Sequence, residues 1–152
     1  LFGGQNMRIF CPYISKKTIE NVRNHLDTLT VLMQSGYYQV PLLLPHQITD
    51  EIKFNENLSI NVHTKYDKVV EELLWSISHL HGKEKEVIYF VHVVGISLSK
   101  LRLGYDSRIH ISYGRAYEIY KRALIHSAYT NQNFIIYKDV STENEKRRKN
   151  DK

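Results

Sequence analysis

Three histidines, His63, His92 and His110, fall in segments that read as strands. Imidazole titrates close to neutral pH, so two of them brought to one sheet face could do general acid–base work on a phosphodiester. The His-x-Ser/Thr pattern that two-histidine phosphoesterases carry in tandem occurs once, at His110-Ile111-Ser112, and His63-Thr64-Lys65 does not complete it. The plainer alternative makes His92 a core histidine bonded to backbone and leaves His63 and His110 on a sheet surface. His79-Leu80-His81 lies at a helix end, where residues two apart point to different sides, so no shared metal is expected there. Cys11 is the single cysteine, which excludes a disulfide framework and a Cys-based zinc site and points to a reducing compartment. No base can be assigned to it as a nucleophile. A glycine-rich phosphate loop and a Gly-x-Ser-x-Gly elbow are both missing from the sequence. No catalytic residue, metal or cofactor is expected.

Basic residues interleaved with tyrosines make a different kind of chemistry available. The chain carries 21 Lys and Arg against 16 Asp and Glu, a net charge of +5. Between Gly95 and His126 stand Lys100, Arg102, Arg108, Arg115, Lys121 and Arg122, opposed only by Asp106 and Glu118. A second cluster, Lys146, Arg147, Arg148 and Lys149, lies in the tail. Tyr105, Tyr113, Tyr117 and Tyr120 alternate with the arginines of the first cluster, as in surfaces that bind phosphates with cations and stack bases on aromatic rings. Such a cluster suits a polyanion: nucleic acid, a nucleocapsid or an anionic lipid surface. The alternative is a solvated basic face with tyrosines that serve packing.

The elements that must position these residues can be read from periodicity. Ile19, Val22, Leu26, Leu29 and Met33 form one helical stripe from a cap at Ser15 to a stop at Gly36. Tyr37 to Ile48 reads as an extended connection kept at the edge of a sheet or outside it by Pro41 and Pro45. Its Tyr37, Tyr38, Val40, Leu42, Leu43 and Leu44 are too apolar for a free loop; they lie against the core or form a partner-binding strap, which makes them candidates for self-association. Ile52 to Val62 predicts a strand or hairpin, and Thr64 to Gly82 a helix with Val69, Val70, Leu73, Leu74, Ile77 and Leu80 inward. Lys83 to Glu86 reads as a solvated turn. Val87 to Leu98 is the most apolar run, rich in β-branched residues, and predicts a central strand covered on both faces. Arg108 to Tyr113 predicts a strand broken by Gly114, followed by a helix with Ala116, Tyr120, Ala123, Leu124 and Ser127 on one side, and Phe134 to Val140 a last strand. The expected fold is α+β, a mixed, mostly antiparallel sheet packed against about three helices.

With 152 residues, 42% apolar and 24% charged, the chain has the composition of one globular domain. That domain is expected over 7–140, after a flexible start or expression scar at 1–6 and before a polar, mobile basic tail at 141–152. No apolar run approaches the ~20 residues that span a bilayer.

The order of alternating Leu58 to Val62, a helix opening at Tyr66-Asp67-Lys68 and reaching Trp75, the apolar Val87 to Leu98, and Ile109 to Tyr117 ending in Gly114-Arg115-Ala116-Tyr117 resembles the matrix proteins of rhabdoviruses over about residues 50–120. The size is similar to that of plant-infecting members. The resemblance implies a non-enzymatic structural protein that self-associates and bridges a nucleocapsid to anionic membrane. It would work in the virion and in host cytoplasm or at the membrane periphery. Its partners would be a second copy of itself, the nucleocapsid or RNA, and a membrane surface. The alternatives are an RNA-binding component of a ribonucleoprotein such as a ribosome, and a histidine-dependent phosphodiesterase or nuclease.

Overall fold

The stripe that begins at Ile19 folds as its spacing demands. In the computed structural model, which describes residues 16–48, 51–102 and 113–130, helix α1 spans Lys16–Gln34 and buries Thr18, Val22, Leu26, Leu29 and Leu32. Each fully buried leucine of this ridge contributes about 1.5–3 kcal/mol of transfer free energy. Ile19 and Met33, at the edges of the stripe, pack against the core from half-buried positions. Gly36 closes the helix end at φ +84°, a left-handed conformation that glycine adopts without penalty.

Helix α2, Asp67–Ser78, turns Val70, Leu73, Leu74 and Ile77 inward, and Leu80 is buried just beyond its end, whereas Val69, expected on the same face, is exposed. The turn before it is built by Thr64 and Asp67. The Thr64 amide donates to Oδ1 of Asp67 at 3.1 Å, and Thr64 Oγ1 accepts from the Tyr66 amide at 3.1 Å. Gly82 does not end this helix, as its spacing predicts. It opens helix α3, Gly82–Ile88, after a three-residue link.

The expected α+β fold is overturned: the described residues form five helices and only a two-stranded sheet. That sheet pairs β1, Tyr38–Gln39, antiparallel with β2, Ser59–Ile60, with Tyr38 opposite Ile60. Residues Phe54–Asn57, expected in the hairpin, make a 3-10 turn that buries Phe54.

The largest departure is Val87 to Leu98. Instead of a central strand, Val87 and Ile88 close α3, a π-helical segment follows over Tyr89–Val94, and helix α4 starts at Leu98 and ends at Arg102. The physical reason is burial from every side. Val87, Ile88, Tyr89, Phe90 and Val93 are all in the core, so the run carries neither a helical stripe nor an alternating face. An all-round apolar helix and a doubly covered strand look alike in sequence. Lys83 to Glu86 is likewise no solvated turn, but the first part of α3. Lys85 is buried, with Nζ 3.4 Å from the Ile52 carbonyl and 6.0 Å from the Phe54 ring centre, its stem lying in apolar surroundings.

Helix α5, Tyr113–Thr130, already includes Tyr113, expected as the end of a strand, and runs on through Gly114. Ala116, Tyr120, Ala123, Leu124 and Ser127 are buried, as their spacing predicts. This helix packs on α1, α3 and α4, so it closes the core that the other elements leave open. No helix among the described residues is long and apolar enough to cross a membrane. The strands expected at 108–112 and 134–140, the start at 1–6 and the tail at 141–152 lie outside the described residues.

Candidate functional site

The π-helical turn sets the site, because it carries His92 into the seam between α1 and α5. His92 is 1% exposed. Thr30 Oγ1 donates to the Leu26 carbonyl at 3.0 Å, which leaves it an acceptor for the Nδ1 proton of His92 at 2.9 Å. Nε2 then accepts the hydroxyl hydrogen of Tyr120 at 2.8 Å. The tautomer follows from this directed chain. Burial holds the imidazole neutral and lowers its pKa to about 4, with the nearby Arg23 cation acting in the same direction against a backbone hydrogen bond. Burial and the neighbouring Asp27 carboxylate push the Tyr120 phenol well above its ordinary value.

Above this pair opens a cleft of about 300 Å³, lined by α1, the π-turn, α4 and α5. Arg23 and Asp27 come from α1, His92 from the π-turn, Ser97 from the link before α4, and Tyr117, Tyr120 and Lys121 from α5. Asp27 Oδ1 lies 3.8 Å from His92 Nδ1. Partial burial raises the Asp27 carboxyl above its ordinary pKa, opposed by Arg23. Tyr117 is 44% exposed, and the Lys121 ammonium sits 5.1 Å from its ring centre.

Charge is unevenly shared between the helices that line this cleft and the other two. The packed helices α1, α4 and α5 carry eight basic residues against three acidic ones, whereas α2 and α3 carry three basic against five acidic. Of the six residues expected to meet an anionic surface, Lys100, Arg115, Lys121 and Arg122 are exposed. Arg102 belongs to α4, and Arg108 lies outside the described residues, as do Lys146, Arg147, Arg148 and Lys149. Arg115 pairs with Glu118 at 3.8 Å. Arg23, Asp27 and Ser97 were not legible as site residues. Arg23 and Asp27, four apart on α1 and beside its buried ridge, offered the one available signal.

The histidines do not form a shared catalytic face. His63 sits in an exposed loop, not a strand, with Nδ1 2.9 Å from Asp67. His92 is engaged by Thr30 and Tyr120, and His110 lies outside the described residues. His92 is thus a core histidine, as the plainer reading has it, held by the Thr30 and Tyr120 side chains as well as by the Leu26 backbone. Near the far end of α5, a hollow of about 330 Å³ brings His79, His81, Glu84 and His126 together, with His126 Nδ1 2.6 Å from Glu84. Among the described residues, no three His, Cys, Asp or Glu side chains are placed to hold a metal ion.

The apolar strap is split between core and surface. Tyr38 is buried, and Val40 and Leu43 pack against the core from half-buried positions. Tyr89 pins the strap: its hydroxyl donates to the Pro41 carbonyl at 2.6 Å and accepts from the Leu43 amide at 3.1 Å. Leu42, 64% exposed, Leu44 and Tyr37 remain at the surface.

Comparison with protein-family models, curated proteins and solved structures finds no match to this chain. The class that fold and site define is a small, mainly helical module with a basic, tyrosine-lined cleft.

Proposed function

We propose that the chain is a non-enzymatic docking module that holds a ribonucleoprotein through the basic side formed by α1, α4 and α5. The observation that carries this is the charge balance of the helices that line the cleft: α1, α4 and α5 together hold a surplus of five positive charges, and Arg23 and Lys121 stand at the cleft itself. Phosphates meeting such a face release counterions, which supplies affinity without sequence specificity. The engaged ring nitrogens of His92 favour a structural role for it over proton transfer to a substrate. In this reading the module serves a matrix-type assembly, with the exposed Leu42, Leu44 and Tyr37 towards a second copy and the basic side towards the nucleocapsid. The resemblance in sequence adds little here, since the apolar strand Val87 to Leu98 on which it rests is largely helical.

The test is the triple variant Lys100→Gln, Arg115→Gln, Arg122→Gln, titrated against single-stranded RNA over a range of salt. Three lost phosphate contacts reduce the slope of log affinity against log salt by about two. Affinity and slope unchanged at every ionic strength would overturn the reading.

A further inference from the structure

We propose that the cleft between Arg23 and Lys121 seats one nucleotide of single-stranded RNA, with its phosphate between the two cations and its base on Tyr117. This rests on the ribonucleoprotein-docking reading and adds to it a specific site and ligand unit.

Size limits the occupant first. A volume of about 300 Å³ lies at the small end of ligand sites, which run from about 300 to 1,000 Å³, so it suits a single nucleotide and not a duplex. The lining then selects the chemistry. Arg23 and Lys121 approach from two different helices, so a phosphate placed between them is held from both sides. The half-open Tyr117 ring provides a face for stacking, and the Lys121 ammonium already above it is a mobile point charge that can turn to a phosphate. Asp27 would repel a bare anion, yet it can accept a hydrogen bond from the amino or imino edge of a base. Leu98, Val91 and Leu124 form an apolar wall that inorganic phosphate or a lipid headgroup would leave unused. The floor is the neutral His92–Tyr120 pair, locked by its own hydrogen bonds and unable to rearrange cheaply around a smaller ligand.

The experiment uses the whole chain with fluorescent short oligoadenylate, and with AMP, inorganic phosphate and phosphatidylserine vesicles as competitors. Tyr117→Leu keeps the apolar bulk and removes the ring; it is expected to weaken oligoadenylate binding about tenfold, equally at low and high salt. Arg23→Gln weakens it with a shallower salt slope. AMP competes, and inorganic phosphate at the same concentration does not. If Tyr117→Leu and Arg23→Gln bind as the parent does while the triple variant of the outer face is weakened, the cleft proposal falls and the docking reading stands. If the parent binds no RNA at low salt, both fall. Competition by phosphate or vesicles as strong as that by AMP would reduce the cleft to an anion site and overturn the nucleotide assignment. Thermal melts of the two variants matching the parent keep a folding defect out of the comparison.

Discussion

The hydroxyl of Tyr120 on α5 donates to Nε2 of His92 at 2.8 Å, with the two rings 5.6 Å apart and 26° from parallel. This one contact joins the π-helical turn to α5 in the protein interior. It also fixes the imidazole tautomer through Thr30 on α1, so three elements remote in sequence depend on one buried polar chain.

Tyr120→Phe leaves Nε2 of His92 buried without its donor. The expected cost is about 1–3 kcal/mol, that of an unsatisfied buried acceptor. Urea denaturation followed by circular dichroism measures it. Thr30→Val is expected to have an effect in the same range, since it strands the Nδ1 proton.

His92 also makes stability pH-dependent, in a direction set by its lowered pKa. The folded state holds the neutral form down to about pH 4, whereas the unfolded chain takes up a proton near the ordinary value of 6.5. Above that value this histidine contributes no pH dependence; as pH falls from 6.5 to 4 the unfolded state binds the extra proton and stability declines. The loss approaches about 3 kcal/mol. Asp27, Arg23 and Tyr120 surround the ring, so the control is His92→Gln, in which this part of the decline disappears from urea midpoints measured across the same range.

Asp67, like His92, has its pKa lowered by folding and weakens the protein in acid, but here the folded state favours the charged form rather than the neutral one. Hydrogen bonds from Tyr38 first, then from His63, and from the Thr64 amide hold its carboxyl at about 2, against an ordinary 3.8. The folded state therefore favours the ionised form, and this stabilisation is present above 3.8 and lost as pH falls towards 2. Asp67→Asn removes that dependence and loosens the junction of β1 with the start of α2. Hydrogen exchange at the Asn61 amide, which donates to the Tyr37 carbonyl at 2.9 Å, is expected to accelerate in the variant.

Tyr89→Phe releases the strap from the core without creating a large cavity. Losing its bonds to Pro41 and Leu43 is expected to cost about 1–2 kcal/mol and to speed proteolysis within residues 40–44. Leu42→Ser with Leu44→Ser leaves the fold intact and, if the exposed strap holds a second copy, shifts the sedimentation profile towards monomer.

Gly95→Ala probes the exit from the π-turn. Gly95 stands at φ +92°, and a Cβ there would lie 2.7 Å from Nε2 of Gln34. That nitrogen donates to the Val94 carbonyl at 3.1 Å, tying the end of α1 to the end of the turn. Left-handed strain of about 1–2 kcal/mol, together with the displaced Gln34 bond, is expected to lower the melting temperature.

What the sequence alone determined is local. The stripe of α1, the inward faces of α2 and α5 and the left-handed stop at Gly36 all follow from spacing within a few turns, because an amphipathic helix writes its own buried face at a period of 3.6 residues. The apolar character of residues 87–98 was equally plain, but not its conformation. When every side of a segment is covered, hydrophobic periodicity vanishes, and only the packing of α1 and α5 around it settles helix against strand. The site is more strongly tertiary still. Arg23 and Lys121 are 98 positions apart, and His92 shows no sign in sequence of Thr30 or Tyr120. Such partners meet because α1 and α5 each bury a ridge against the same core, which leaves their flanking charges side by side at its edge.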